Sequence, residues 1–123
     1  MAIMQMSPQG KTKGQIEADI SNGLIQFEKE YLGRGPLECR TYIIDDMVLI
    51  RLKGVLTQAE QQLAKNDEGK DLIKKMRSNL LEQGKGLLTA LIEENTLSKV
   101  VSLHTDISTK TGERVIIFTM GPS

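Results

Sequence analysis

Two parts of the chain alternate apolar and polar residues, and this alternation restricts the possible folds most strongly. The segment from Val100 to Met120 reads VVSLHTDISTKTGERVIIFTM, in which two such runs flank a short polar loop. Because successive side chains of a β-strand point to opposite faces of a sheet, the pattern predicts a β-hairpin. The apolar face of such a hairpin has to pack against another layer.

A second hairpin is predicted from LECRTYIID and MVLIRLKG, joined by a two-residue turn at Asp45 and Asp46. This turn places Arg40 directly opposite Arg51, and paired like charges are destabilising unless an acid or an anion lies between them. Alternation then divides the side chains between a core face and a second face. The core face has Cys39, Thr41, Ile43, Val48, Ile50 and Leu52, and the second face has Arg40, Tyr42, Ile44, Met47, Leu49 and Arg51.

For the later hairpin we expect Ile107 to pair with Glu113, so that Asp106 lies opposite Arg114 and His104 opposite Ile116. The second face of the sheet then also contains His104, Asp106, Arg114, Ile116, Phe118 and Met120. A face of this composition is too apolar to remain in water. Since a self-complementary patch gives a two-fold dimer, we predict that a second copy covers it and that the chain is a homodimer.

Helices are predicted in three places. Apolar residues recur at steps of three and four from Gln15 to Leu32, and Thr57 with Glu60 forms a capping box that starts a helix near Gln58. A longer helix is expected from about Lys70 to Asn95, where Gly84 and Gly86 indicate close packing or a kink. Its predicted apolar stripe is Leu72, Ile73, Met76, Leu80, Leu87, Leu88, Leu91 and Ile92.

The predicted element order is helix, strand, strand, helix, helix, strand, strand. This order predicts an α+β two-layer sandwich, in which a four-stranded antiparallel sheet has helices on one face. Residues 1–13 lack periodicity and are predicted to be a flexible N-terminal tail, with a single domain over residues 14–123.

Composition limits the partners. The chain has 16 Lys and Arg against 16 Asp and Glu, so no overall field favours nucleic acid. No segment approaches the roughly 20 apolar residues that span a bilayer, so no direct membrane insertion is expected. The single cysteine, Cys39, excludes an internal disulfide framework, and the cytoplasm is the expected location.

A local site remains an alternative. On the predicted second face, the side chains of Arg40, Arg51, His104, Asp106 and Arg114 could bind a small anion, as in a sensor or a minor enzyme. With one histidine and one cysteine the chain offers few zinc ligands, so we predict no metal site and no other cofactor. Because Cys39 faces the predicted core, we predict no catalytic nucleophile.

The segments GRGP, YIIDDMVLIRLKGVLTQAEQQLA and VVSLHTDISTKTGERVIIFTM resemble the MpsC-type family of small bacterial proteins. The similarity extends from Gly14 to Met120, and HTDISTKTGERVIIFT is its most specific part. This resemblance implies an association with a Na⁺-translocating, membrane-potential-generating system. Relatives are reported near membrane subunits similar to a proton-pumping NADH dehydrogenase and near a bicarbonate-uptake partner. The implied role is that of an accessory or regulatory protein that binds a membrane complex, peripheral to the membrane, and no catalytic residues come with the family.

Overall fold

The computed structural model describes residues 10–122 and has three helices and four strands in the predicted order. The elements are α1 (Lys13–Leu32), β1 (Glu38–Ile44), β2 (Met47–Lys53), α2 (Gln58–Leu63), α3 (Asp67–Thr96), β3 (Lys99–Ile107) and β4 (Arg114–Gly121). The predicted α+β fold with a four-stranded antiparallel sheet is therefore confirmed. Most of the predicted flexible tail, residues 1–9, lies outside the described residues.

The sheet has the strand order β1-β2-β4-β3, and α1 and α3 pack on one of its faces. The core lies between these two layers and is formed by apolar side chains from both. We call the opposite side of the sheet the open face, because no helix among the described residues covers it. The most buried core residues are Ile16, Ile20, Leu24, Val48, Ile50, Leu52, Ile73, Leu88, Ile92, Ile116 and Phe118.

The helix starts follow from local capping. The predicted capping box at α2 is present, because the Thr57 hydroxyl accepts from the Glu60 amide and the Glu60 carboxylate accepts from the Thr57 amide. Helix α3 starts at Asp67, where the Asn66 side chain caps it by accepting from the Gly69 amide. Gly84 allows close packing of α3 on α1, because a Cβ there would overlap the Phe27 ring.

The register of the first hairpin is as predicted. Asp45 and Asp46 form the turn, with Asp45 at φ 52°, and Arg40 pairs with Arg51. Thr41 and Ile43 are buried toward the helices, whereas Ile44 is exposed on the open face. The face assignment of β1 and β2 is therefore confirmed.

The predicted register of the second hairpin is wrong by one residue. Ile107 pairs with Arg114, because Glu113 accepts from the Ser108 amide through its carbonyl oxygen instead of pairing with Ile107. The loop turns at Gly112, whose φ of 74° is favourable for glycine. A one-residue shift sends every side chain of a strand to the other face. The predicted open-face residues of β4 are consequently buried under the helices, and these are Arg114, Ile116, Phe118 and Met120.

A β-bulge changes the start of β3. Regular alternation with Leu103 and Thr105 would place Val101 on the covered face, but the register shifts between Val100 and Ser102, and Val101 is 69% exposed. Val100 packs against the core in its place. The bulge thus keeps Leu103 and Thr105 on the helix side while it turns Val101 outward.

Both edges of the sheet carry hydrogen bonds to acidic side chains. On β1 the Ile43 amide donates to Glu17 at 2.8 Å. On β3 the Val100 amide donates to Glu93 at 2.8 Å, and the Ile107 amide donates to the neighbouring Asp106 at 2.8 Å. Carboxylates placed on edge amides oppose the addition of another strand.

Candidate functional site

The open face divides into two halves along the strand direction. The strand registers define two adjacent rows across the sheet, Tyr42–Leu49–Ile117–His104 and Ile44–Met47–Thr119–Ser102. Five of these eight residues are apolar, and we call the two rows the apolar half. The next row is Arg40–Arg51–Val115–Asp106, followed by the pair Glu38–Lys53, and we call these the charged half.

The paired arginines of the charged half both have acidic neighbours. Arg51 Nε lies 2.6 Å from Glu113 Oε2, and Arg40 Nε lies 3.9 Å from Glu38 Oε2. The hydrogen bond and charge of Glu113 raise the pKa of Arg51. The expected repulsion between Arg40 and Arg51 is therefore offset by acids of the same chain. The Arg40 side chain remains 68% exposed.

His104 and Asp106 lie on the edge strand β3, separated from Arg51 by β4. The exposed imidazole Nε2 of His104 is 3.2 Å from the Ser102 hydroxyl, which also contacts Thr119. Asp106 accepts from the Ile107 amide, as described above. Both side chains thus have local structural contacts on this strand.

Arg114 lies on the other side of the sheet. It is 5% exposed, and its Nε donates to the Thr105 hydroxyl at 3.2 Å. Four of the five predicted ligand residues therefore share the open face, while Arg114 belongs to the covered face. The placement of Arg114 with the other four is wrong, because the register of β4 differs by one residue from the predicted one.

The covered face contains a buried ionic cluster, which we define as Glu28, Glu60, Arg77 and Arg114. Arg77 is 1% exposed and forms two hydrogen bonds to the Glu60 carboxylate, at 2.8 and 2.7 Å. Its Nη2 also donates to the Val55 carbonyl oxygen at 2.8 Å. Glu28 Oε1 lies 3.6 Å from Arg77 Nη1, which has no hydrogen-bond partner among the described residues.

This cluster links all three helices to the sheet and balances two acids with two bases. Burial raises the pKa of Glu28, although the charges of Arg77 and Arg114 oppose that rise. Burial alone would raise the pKa of Glu60, but hydrogen bonds from Arg77 and Thr57 outweigh it and lower that pKa. Burial lowers the pKa of Arg114, with Glu28 acting against it.

Hydrophobicity alone does not predict this cluster, because it assigns only apolar residues to the buried face of α3. The residues of α3 that are buried include Ile73, Arg77, Leu81, Gly84 and Leu88. Arg77 therefore occupies a core position in the helical repeat, and the spacing of Ile73, Leu81 and Leu88 was the available signal. The prediction instead placed the neighbouring Leu72, Met76 and Leu87 in the stripe, and these are 52%, 42% and 60% exposed.

An apolar groove lies on the helical side of the molecule. Its volume is about 540 Å³, and residues of α1, α2 and α3 form its walls. The lining includes the apolar side chains of Leu63, Leu72, Met76 and Leu80, together with Tyr31. The molecule thus has apolar surface on both layers, in this groove and in the apolar half of the open face.

These features define the class of protein as a two-layer α+β domain with one open sheet face. The model of the family described as "Na+-translocating membrane potential-generating system (MpsC)" matches residues 12–121, and the chain belongs to that family. No helix among residues 10–122 is long and apolar enough to cross a membrane.

Two proteins of Bacillus subtilis (strain 168) are similar to the chain. One, named "Uncharacterized protein YbcI", is 47% identical over 108 residues, which cover 88% of this chain and 87% of that protein. The other, "Uncharacterized protein YrhF", is 29% identical over 101 residues, covering 81% and 83% of the two chains. No solved structure matches the chain.

Proposed function

We propose that the chain is an accessory protein of a bacterial membrane ion-translocating system, linked to Na⁺ or bicarbonate transport, and that it acts by protein binding as a homodimer. The observation that carries this proposal is the presence of apolar surface on both layers of one small domain. A second copy would cover the open face. The family description supports the link to a Na⁺-translocating system.

In this proposal the helical groove binds the membrane complex through an amphipathic helix of one of its subunits. The exposed residues Leu72 and Met76 are one turn apart on α3, with Leu80 one turn further along, and this spacing suits a helix laid into a groove. Leu63 of α2 is 44% exposed on the opposite wall. The protein would then be peripheral to the membrane through this contact.

The open face favours protein binding over the anion-binding alternative. Arg51 is already held by Glu113, and Asp106 accepts a backbone amide of its own strand. Arg114, the third arginine of the anion-binding hypothesis, lies on the covered face. An anion site would have to form from Arg40 and His104, which lie on the two edge strands of the sheet.

The test is a pull-down of the tagged protein from detergent-solubilised membranes of its host, with mass spectrometry against an untagged control. We expect recovery of a subunit of an ion-translocating or bicarbonate-uptake complex. The double substitution Leu72→Glu and Met76→Glu should abolish this recovery, because charges would enter an apolar groove. Lys74→Glu, on the same helix outside the groove, is the control and should retain it.

Two results would contradict the proposal. Recovery of only the tagged protein would exclude a stable membrane partnership. Equal recovery of the transport subunit by wild type and by the groove variant would show that the subunit binds elsewhere.

A further inference from the structure

We propose that two copies pack open face to open face about a two-fold axis that runs across the strands, between the two rows of the apolar half. This inference rests on the proposed homodimer and adds its geometry. An axis between two facing sheets has to lie in the plane of their interface. When the axis runs across the strands, the row that contains Leu49 lies on the partner's row that contains Met47. Leu49 is then opposite the partner's Met47.

Charge complementarity supports this axis. The apolar half lies between the charged half at one end and the turn of Asp45 and Asp46 at the other. The rotation exchanges these two ends. It places Arg40 and Arg51 opposite the partner's Asp45 and the partner's Asp46. All four residues are exposed in the chain, and Arg40, at 68% exposure, is the more open of the two arginines because Arg51 also bonds to Glu113.

The β3 edge of the open face gives a second complementary contact. Asp106 is in the same row as Arg51, on the edge strand β3. Lys99, at the start of that strand, pairs with Gly121 at the end of the sheet nearest the turn. The same rotation brings Asp106 opposite the partner's Lys99. Because of the two-fold symmetry, each such contact occurs twice in the dimer.

An axis parallel to the strands is the main rival geometry. It places the charged half of one copy on the charged half of the other, with Arg40 opposite the partner's Asp106 and Lys53 near the partner's Glu113. This arrangement takes both charged rows out of water, and the desolvation of ions is expensive even when they are paired. An axis across the strands keeps these charges at the rim, where protein interfaces are polar.

The sheet edges favour face-to-face packing over a continuous intermolecular sheet. Glu17 accepts the Ile43 amide on β1, while Glu93 accepts the Val100 amide on β3. Pairing of an edge strand with a second copy would have to displace these carboxylates. The open face has no such protection, and Ile44 and Tyr42 are 47% and 39% exposed there.

The experiment measures the dimer dissociation constant by sedimentation equilibrium at low ionic strength, from about 1 μM to about 1 mM protein, a range that covers weak interfaces. We expect Arg40→Glu and Asp45→Lys each to raise this constant at least about fivefold, because these two residues face each other in the proposed dimer and each change creates two like-charge contacts. The double variant should return it to within about twofold of wild type, since it restores opposite charges. Asp45 has a positive φ, so the cost of Asp45→Lys to the monomer is measured separately by its melting temperature.

Lys53→Glu is the matched control, because it makes a similar charge change on the same face. In the proposed dimer Lys53 lies beyond the partner's turn, so its substitution should change the dissociation constant less than about twofold. Tyr42→Glu, in the apolar half, should abolish the dimer. Circular dichroism melting establishes that each variant is folded.

The outcomes separate the geometry from the proposed function. A wild-type protein that remains monomeric at about 1 mM overturns the homodimer and this geometry together. If wild type dimerises and Tyr42→Glu prevents it, the homodimer is supported. A lack of rescue in the double variant, or a large effect of Lys53→Glu, would then overturn the axis across the strands alone.

Discussion

The two faces of the sheet use charged residues differently. On the covered face, Arg77 and Glu60 are buried and hydrogen-bonded to each other, with Glu28 and Arg114 beside them. On the open face, Arg40 and its neighbours lie at the solvent, at one end of an apolar area. The charges of the covered face therefore hold elements of one chain together out of water, while those of the open face form ion pairs that remain in contact with solvent.

This difference predicts that equivalent substitutions on the two faces have different consequences. A change on the covered face should alter the free energy of unfolding of the monomer. A change on the open face should leave that quantity nearly constant and alter association. The following predictions test this division.

The largest effect is expected for Arg77→Ala. It leaves the Glu60 carboxylate buried without its cation, and loss of one partner from a buried ion pair costs about 3–5 kcal/mol of stability. Urea denaturation of the monomer measures this, with Lys74→Ala on the same helix as the exposed control. The double variant Arg77→Met with Glu60→Gln should lose much less unfolding free energy than the sum of the losses measured for Arg77→Met and Glu60→Gln separately. Additive losses would contradict the assignment of Arg77 and Glu60 as a coupled pair.

Ile43 and Ile44 form a matched pair, because they are adjacent in β1 and lie on opposite faces. Ile43 is 2% exposed, so Ile43→Ala should destabilise the monomer by about 2–5 kcal/mol through the cavity it leaves. Ile44→Ala should change the stability of the monomer by less than about 0.5 kcal/mol.

Both isoleucine variants are measured by urea denaturation at a protein concentration below that of dimer formation. Ile44→Ala should instead weaken dimerisation in sedimentation equilibrium. Equal destabilisation of the monomer by the two substitutions would refute the contrast between the faces.

Gly84 and Gly86 test the inner and outer sides of the helical layer. A Cβ at position 84 meets the rings of Phe27 and Tyr31, so Gly84→Ala should destabilise by about 1–3 kcal/mol through overpacking. At position 86 a Cβ meets nothing within 4 Å, so Gly86→Ala should stabilise by about 1 kcal/mol through helix propensity. Thermal unfolding of the two variants gives the signs. A stabilising Gly84→Ala would mean that α1 and α3 can separate without loss.

The two hairpins explain which parts of the fold could be predicted from the sequence. The turn at Asp45 and Asp46 has two residues, so its position determines the register, and the faces of β1 and β2 followed correctly. The loop between β3 and β4 is longer, and its closure depends on the hydrogen bond between Ser108 and Glu113. No residue pattern determines that closure, so the predicted faces of β4 were reversed.

The candidate site was predictable only where burial follows hydrophobicity. Tyr42 and Ile44 were placed on the open face by alternation alone, as the structure has them. The position of Arg77 depends on partners far away in sequence, Glu60 and Glu28, which tertiary packing brings to it. A charged residue at a core position can be recognised only when its partner is known.

The smallest predicted effects are opposite pH dependences of two acids within the buried cluster. The pKa of Glu28 is raised by burial above its unfolded value of 4.5. The folded state therefore binds more protons than the unfolded state just above that pH, and Glu28 contributes stability that is lost as pH rises. The pKa of Glu60 is lowered, because its hydrogen bonds outweigh its burial, so its contribution is lost as pH falls below 4.5.

These signs are measured by comparing Glu28→Gln and Glu60→Gln with wild type in urea denaturation across the acidic range. The stability of Glu28→Gln relative to wild type should increase as pH rises from 4.5 toward neutrality, because the variant has no carboxylate to ionise there. The stability of Glu60→Gln relative to wild type should decrease as pH rises toward 4.5, because only the wild type gains the ionised partner of Arg77. Parallel pH profiles of all three proteins would contradict the assignment, since an exposed carboxylate titrates alike in the folded and unfolded chains. Glu38→Gln, on the open face, is the control, because the Glu38 side chain is 48% exposed.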